Sequence, residues 1–233
     1  MVPTASWRVA AVLTPLQQRI ARLVASLPEA EGFALAGAGA LVVHGYLDRQ
    51  TRDLDYFTTP ARQTQVQRLG AALERALTAE GVPSQRLRDL PTFVRLVVGR
   101  EPDRCEVDVA IDYRALPTET TALGPTLARK ELAANKVLAI FDRAEPRDFT
   151  DLDAVTRVYP LADLVELAER KDTGFDRPRF VEALASFRRF TPADLRVGSD
   201  EHRRLTRVVD GWRRQLERTL ERDIGHGHDG PEL

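Results

Sequence analysis

Cysteine, lysine and long apolar runs are what this chain has least of. One cysteine, Cys105, stands among 233 residues. That excludes an internal disulfide framework and a zinc site built on cysteines, and it fits a reducing cytoplasm. Cys105 opens an alternating apolar stretch, so a buried, unreactive thiol is expected. Nowhere do apolar residues run for the roughly eighteen positions a membrane-spanning helix needs. The N-terminus lacks the basic-then-apolar pattern of a secretory signal. Only Lys130, Lys136 and Lys171 among the 34 basic residues are lysines. A GC-rich coding sequence explains that bias more simply than a function does, so each lysine stands out. With 35 acidic residues the net charge is −1. No chain-wide basic excess announces nucleic acid, and any RNA contact must come from local arginines such as Arg49, Arg52, Arg86, Arg88, Arg95 or Arg143.

The apolar fraction of 43% is ample for a packed core. Thr14-Pro15 is a helix start, with a capping residue and proline at the first position. Leu16, Ile20, Leu23 and Val24 continue that helix. A strand over 33–35, a short helix over 39–46 and a strand over 54–57 follow. Next come an amphipathic helix over 61–80, stopped by Gly81 and Pro83, and strands over 93–98 and 104–113. In the second of these strands Cys105, Val107, Val109 and Ile111 share one face, and Glu106, Asp108, Ala110 and Asp112 the other. From Leu127 onward the pattern is helical only: 127–142, 147–158, 161–171, 178–187 and 200–222. The expected organisation is α+β: a mixed sheet with helices over 1–120, an all-helical half over 121–223, and a polar, disordered tail over 224–233. The last helix carries few apolar anchors (Leu205, Val208, Val209, Trp212, Leu216, Leu220), which suit docking on the body or on a partner equally well.

The chemistry concentrates at Leu35-Ala36-Gly37-Ala38-Gly39-Ala40-Leu41 and Arg52-Asp53-Leu54-Asp55-Tyr56-Phe57. Residues i and i+2 of a strand face the same way, so Asp53 and Asp55 point to one side and Leu54 to the other. Two fixed carboxylates repel unless a cation sits between them. Mg²⁺ accepts one or two carboxylates and completes its shell with substrate phosphates. The glycine-rich turn offers bare N–H groups at a helix start, which suit a phosphate. Asp108 is a candidate third carboxylate, against the bland reading of a solvated strand face. Downstream, Lys136 and Arg143 lie two turns apart on one helix face, and Asp148 and Asp151 share a side of the next helix. A lysine in so apolar a helix needs a carboxylate or a substrate phosphate. The residues alone leave a phosphate site and a structural Lys–Asp ion pair equally open.

This ordered set resembles the AbiEii/AbiGii family of nucleotidyltransferase-like toxins, within the DNA polymerase β-like superfamily. The resemblance is carried by the turn at Gly37-Ala38-Gly39, by Asp53-Leu54-Asp55, by Val107-Asp108-Val109, by Glu131-Leu132-Ala133-Ala134-Asn135-Lys136 and by Arg147-Asp148-Phe149-Thr150-Asp151-Leu152. It spans roughly residues 30 to 190. It implies a nucleotidyltransferase-like fold, an NTP as donor, Mg²⁺ or Mn²⁺ as metal, and an RNA acceptor, with the tRNA 3′ end as the foremost one. It also implies a role in a toxin–antitoxin or phage-defence system with a cognate antitoxin. By the resemblance, Asp53, Asp55 and Asp108 hold metal, and Gly37, Ala38, Gly39, Lys136 and Arg143 contact the nucleotide. Asp151 positions or activates the acceptor, and Arg147 and Asp148 support it. Two departures stand out. Ala38 occupies a turn position where the family has Gly or Ser, and the turn-to-Asp53 spacing is about a residue longer. Transfer to a protein or small molecule, and a non-catalytic binding module, are the alternative functions.

Overall fold

The computed structural model describes residues 12–226, with side chains through Arg222. The expected tail over 224–233 lies largely outside the described residues. Two compact units divide the chain, Met1–Leu132 and Ala133–Leu233. The division falls inside one helix, α4 (Arg129–Asp142), and not at the composition break near residue 120.

The first unit is built on a seven-stranded sheet of order β3-β4-β5-β2-β1-β7-β6. Helix α1 (Pro15–Ser26) starts as expected. The Thr14 hydroxyl accepts from the Gln17 N–H, the Gln17 side chain returns the bond to the Thr14 N–H, and Ile20, Ala21 and Val24 face inward. Strand β1 (Ala34–Ala36) runs into the short helix α2 (Gly37–Val43). Strand β2 (Asp53–Thr58) alternates half-exposed and buried residues, with Leu54 fully buried between the two aspartates. This is the period of a strand with one face on the core. Helix α3 (Gln65–Ala79) then crosses behind the sheet, Val66, Leu69, Leu73 and Leu77 turned inward. It comes so close that a Cβ on Gly70 would lie 2.9 Å from Val94 Cγ1.

Strands β3 (Ser84–Leu90), β4 (Phe93–Arg100) and β5 (Asp103–Ile111) form an antiparallel meander. Val94, Leu96 and Val98 from β4 and Cys105, Val107 and Val109 from β5 share the buried face. Burial pushes the Cys105 thiol up to about 12, consistent with the inert cysteine expected. Strand β5 pairs parallel to β2, and β1 pairs antiparallel to β2 on the other side. Strand β3 was not foreseen. Its sequence SQRLRDL shows no apolar alternation, and Leu87 and Leu90 are 47% and 49% exposed at the sheet edge. Strands β6 (Glu119–Thr121) and β7 (Gly124–Thr126) were also unforeseen. They are three residues each, held by a Thr121–Thr126 hydroxyl pair at 2.9 Å, and β7 extends the sheet by pairing with β1.

The second unit is helical. Beyond α4 it contains α5 (Pro146–Thr156), α6 (Leu161–Lys171), α7 (Arg177–Ala185), the single turn α8 (Pro192–Leu195) and α9 (Ser199–His226). Its core is aromatic. Phe149 meets Phe187 at 5.2 Å and Phe190 at 5.8 Å, and Phe175 meets Phe180 at 5.5 Å. The docking left open for the last helix is resolved: Leu205, Val209, Trp212 and Leu216 form a buried stripe on α9, which packs on α7 and α5. Among the described residues no helix is long and apolar enough to cross a membrane.

Candidate active site

The turn after β1 is built around one glycine. Gly37 has φ +59°, in the left-handed region, and a Cβ there would fall 1.8 Å from Asp55 Oδ2. The close approach follows from register, since Ala36 is the partner of Asp55 across β1 and β2. The backbone at Gly37 and the Asp55 carboxylate therefore share one small space. Gly39 lets α2 settle on β2, a Cβ there lying 3.1 Å from Leu54 Cδ2. Ala36 gives α2 no side-chain cap, so the first N–H groups of the helix are not consumed by it. Ala38 is not among the residues with positive φ, so a side chain there meets no backbone strain. Gly37→Ala is expected to cost at least about 2 kcal/mol in urea unfolding, combining backbone strain with displacement of Asp55. Unchanged stability would mean that the turn tolerates a side chain.

Asp53 is oriented from behind. The Thr51 hydroxyl donates to Asp53 Oδ1 in a short hydrogen bond. Thr51 is itself buried, and its carbonyl accepts from Gln17 Nε2 at 2.9 Å. Gln17 is 2% exposed, so the first turn of α1 fixes the entry into β2. Sequence reasoning missed this relay, although Thr14-x-x-Gln17 had the spacing of a capping box.

The register of β2 with β5 places Asp53 beside Glu106 and Asp55 beside Asp108. Asp108 is 8% exposed and faces Arg95 of β4. Arg95 donates to it through both arms of its fork, Nε to Oδ1 at 2.7 Å and Nη2 to Oδ2 at 2.6 Å. The hydrogen bonds to Asp108 hold the guanidinium well above its ordinary pKa. Arg95 and Arg86, named above as candidate sources of RNA contact, are engaged in ion pairs, Arg86 with Glu74 of α3. Among the described residues no three or more His, Cys, Asp and Glu side chains gather into a metal-holding group.

The second unit brings Lys136, Arg143, Asp148 and Asp151 together. Lys136 Nζ lies 2.9 Å from Asp151 and 3.5 Å from Asp148, whose residues are both fully buried. Arg143 donates to both oxygens of Asp148 at 3.0 Å. Arg147 instead reaches Glu145, at 3.0 Å. Proline at the first position of α5 and Asp148 in its first turn suit a helix start, where a carboxylate meets the positive end of the dipole. Arg143 and Asp148, given separate roles in the sequence reading, are one bidentate pair here.

The family model described as "Nucleotidyl transferase AbiEii toxin, Type IV TA system" matches residues 20–229. The chain belongs to the AbiEii family. This AbiEii protein is thus a nucleotidyltransferase of a toxin family. The comparison with curated proteins gives no match. Solved structures share the fold at low identity. MenT4, a nucleotidyltransferase toxin from Mycobacterium tuberculosis, is 17% identical with a TM-score of 0.56, over 93% of this chain and 92% of its own. JHP933 from Helicobacter pylori is also 17% identical, with a TM-score of 0.54 over 91% and 95%. The mixed sheet followed by helices in this AbiEii protein is the α+β architecture expected from its sequence.

Proposed function

We propose that this protein transfers a nucleoside monophosphate from an NTP to an RNA acceptor, foremost the 3′ end of tRNA, with Mg²⁺ or Mn²⁺ as metal. The transfer would block translation in the cytoplasm until a cognate antitoxin intervenes. The carrying observation is Asp53 and Asp55 on one face of β2, with Asp55 against the side-chain-free backbone of Gly37. Two carboxylates on one face fit a metal that completes its shell with substrate phosphates. Asp53 and Asp55 would hold it, and when bound it neutralises charge on the triphosphate.

The remaining roles belong to the chain. The hydrogen bond from Thr51 holds Asp53 in one orientation. The turn at Gly37-Ala38-Gly39 offers backbone N–H groups to phosphate oxygens. In the reaction the acceptor 3′ hydroxyl attacks the α-phosphorus, a new phosphodiester bond forms and pyrophosphate leaves. Lys136 is the proposed contact to the triphosphate by the family resemblance, and Asp151 holds its ammonium through their 2.9 Å ion pair. Arg143 and Asp148 brace that pair from α4 and α5.

Total tRNA incubated with Mg²⁺ and each labelled NTP in turn tests this reading. Label from one NTP, lost when EDTA removes the metal, is the expected result. Absence of label with every NTP, from protein shown to be folded, would reject tRNA as acceptor.

A further inference from the structure

We infer that one exposed face of α9 is a docking surface for the phosphate backbone of an RNA duplex. The inference rests on the reading that RNA is the acceptor, and it adds a contact outside the carboxylate site. It starts from two faces of one helix. Leu205, Val209, Trp212 and Leu216 recur at intervals of four, three and four residues, and they are the stripe buried where α9 packs on α7 and α5. Arg207, Gly211, Arg214 and Arg218 recur at the same intervals, two residues further on. Two residues turn a helix by about 200°, so the second set lies opposite the first. All three arginines are exposed. The acids on the same side are mostly taken. Asp200 pairs with Arg203, Asp210 meets Arg188 at 3.2 Å and Arg213 at 3.9 Å, and Glu217 meets Arg213 at 3.2 Å. Glu221 closes the far end of the strip. Among the described residues, Arg207, Arg214 and Arg218 have no acidic partner. In a chain of net charge −1, three uncompensated guanidinium groups along one line make a local basic surface.

Gly211 supports the same conclusion independently. Glycine inside a helix weakens it, and a Cβ at Gly211 would meet nothing within 4 Å. Packing therefore does not impose the gap. The gap leaves the backbone of α9 bare between the arginines, where a rigid partner can come close. From Arg207 to Arg218 the strip is about 16 Å long at 1.5 Å per residue. A nucleic-acid duplex carries one backbone charge per about 1.7 Å of its axis, so several phosphates fall within that length. Double-stranded RNA is recognised by shape and backbone more than by base edges, and the arginine fork matches phosphate geometry. A membrane surface fits less well. A helix lying on lipid inserts an apolar face, and the apolar face of α9 is already buried in the protein. Backbone contacts carry no sequence information. The strip thus sets affinity for RNA and leaves the choice of base to other residues.

The experiment follows binding of a labelled, blunt-ended RNA duplex to the full-length protein by fluorescence anisotropy, without NTP, over a series of salt concentrations. The parent should bind with an affinity that falls steeply as salt rises. Arg207→Gln/Arg214→Gln/Arg218→Gln should bind at least about tenfold more weakly. It should also flatten the slope of log K against log salt by about 2, since each lost phosphate contact removes about 0.7–0.9. Its melting temperature should stay within about 2 °C of the parent, because the three side chains are exposed. Gly211→Gln separates binding from folding. Better helix propensity should raise its melting temperature by about 2 °C, while the side chain in the gap weakens duplex binding at least about fivefold. Parental affinity and slope in the triple variant, or undiminished binding by Gly211→Gln, overturns the inference. Should the triple variant not fold, Gly211→Gln decides by itself. Phosphatidylglycerol vesicles that capture the parent but not the triple variant, with the duplex left unbound, overturn it in favour of a membrane surface. A parent that labels tRNA but does not bind the duplex overturns the strip alone. A parent that neither labels tRNA nor binds the duplex overturns the acceptor reading with it.

Discussion

Asp53→Asn and Asp55→Asn are each expected to slow nucleotidyl transfer at least about a thousandfold, or about 4 kcal/mol in the barrier. Folding should be nearly untouched. Both residues are half-exposed on β2, and replacing one of two neighbouring carboxylates relieves repulsion while keeping shape, so stability should move by less than about 0.5 kcal/mol. The Thr51 hydroxyl still has an amide oxygen to donate to in Asp53→Asn, which separates charge from position. Single-turnover transfer beside thermal unfolding makes the comparison. A variant that keeps the parental rate would show that the chemistry lies elsewhere.

Lys136→Met is expected to damage the second unit far more than a surface lysine change would. Its ammonium lies 2.9 Å from Asp151 and 3.5 Å from Asp148, both fully buried. Arg143 continues to serve Asp148 through two bonds, so the loss falls mainly on Asp151. Stranding a buried carboxylate in this way costs roughly 3–5 kcal/mol. The double variant Lys136→Met/Asp151→Asn removes the stranded charge and should recover a large part of that loss in a denaturant series. Full parental stability in Lys136→Met would mean that the pair contributes nothing to the fold. The comparison also protects the functional assignment, because loss of transfer in a Lys136 variant has meaning only where the protein is folded.

The strands and helices that build the carboxylate site were legible wherever burial imposed a period. Leu54 between two half-exposed aspartates, and Val107 and Val109 alternating along β5, announced their faces because one face of each strand meets the core. Thr14-Pro15 announced α1 through cap chemistry alone. Strand β3 stayed hidden because an exposed edge strand has no apolar period to display. Strands β6 and β7 were too short to show one. The Arg95–Asp108 fork and the Gln17–Thr51–Asp53 relay needed register and tertiary contact, which spacing along the chain does not contain. Within the helical half, same-face spacing grouped Lys136 with Arg143 and Asp148 with Asp151, but it left a phosphate and a carboxylate equally open as partner for Lys136, because the meeting of two helices is a tertiary fact.

The strand order β5-β2-β1-β7 also sets a schedule for synthesis. On a ribosome the aspartates of β2 emerge early, with α1, β1, the Gly37 turn and α2 to lean on. Their other neighbour, β5, is made after α3 and two further strands, and β7 later still. Long-range pairing of this kind completes late and slowly. A half-made chain therefore carries its carboxylates on an unseated strand until the sheet has closed around β2.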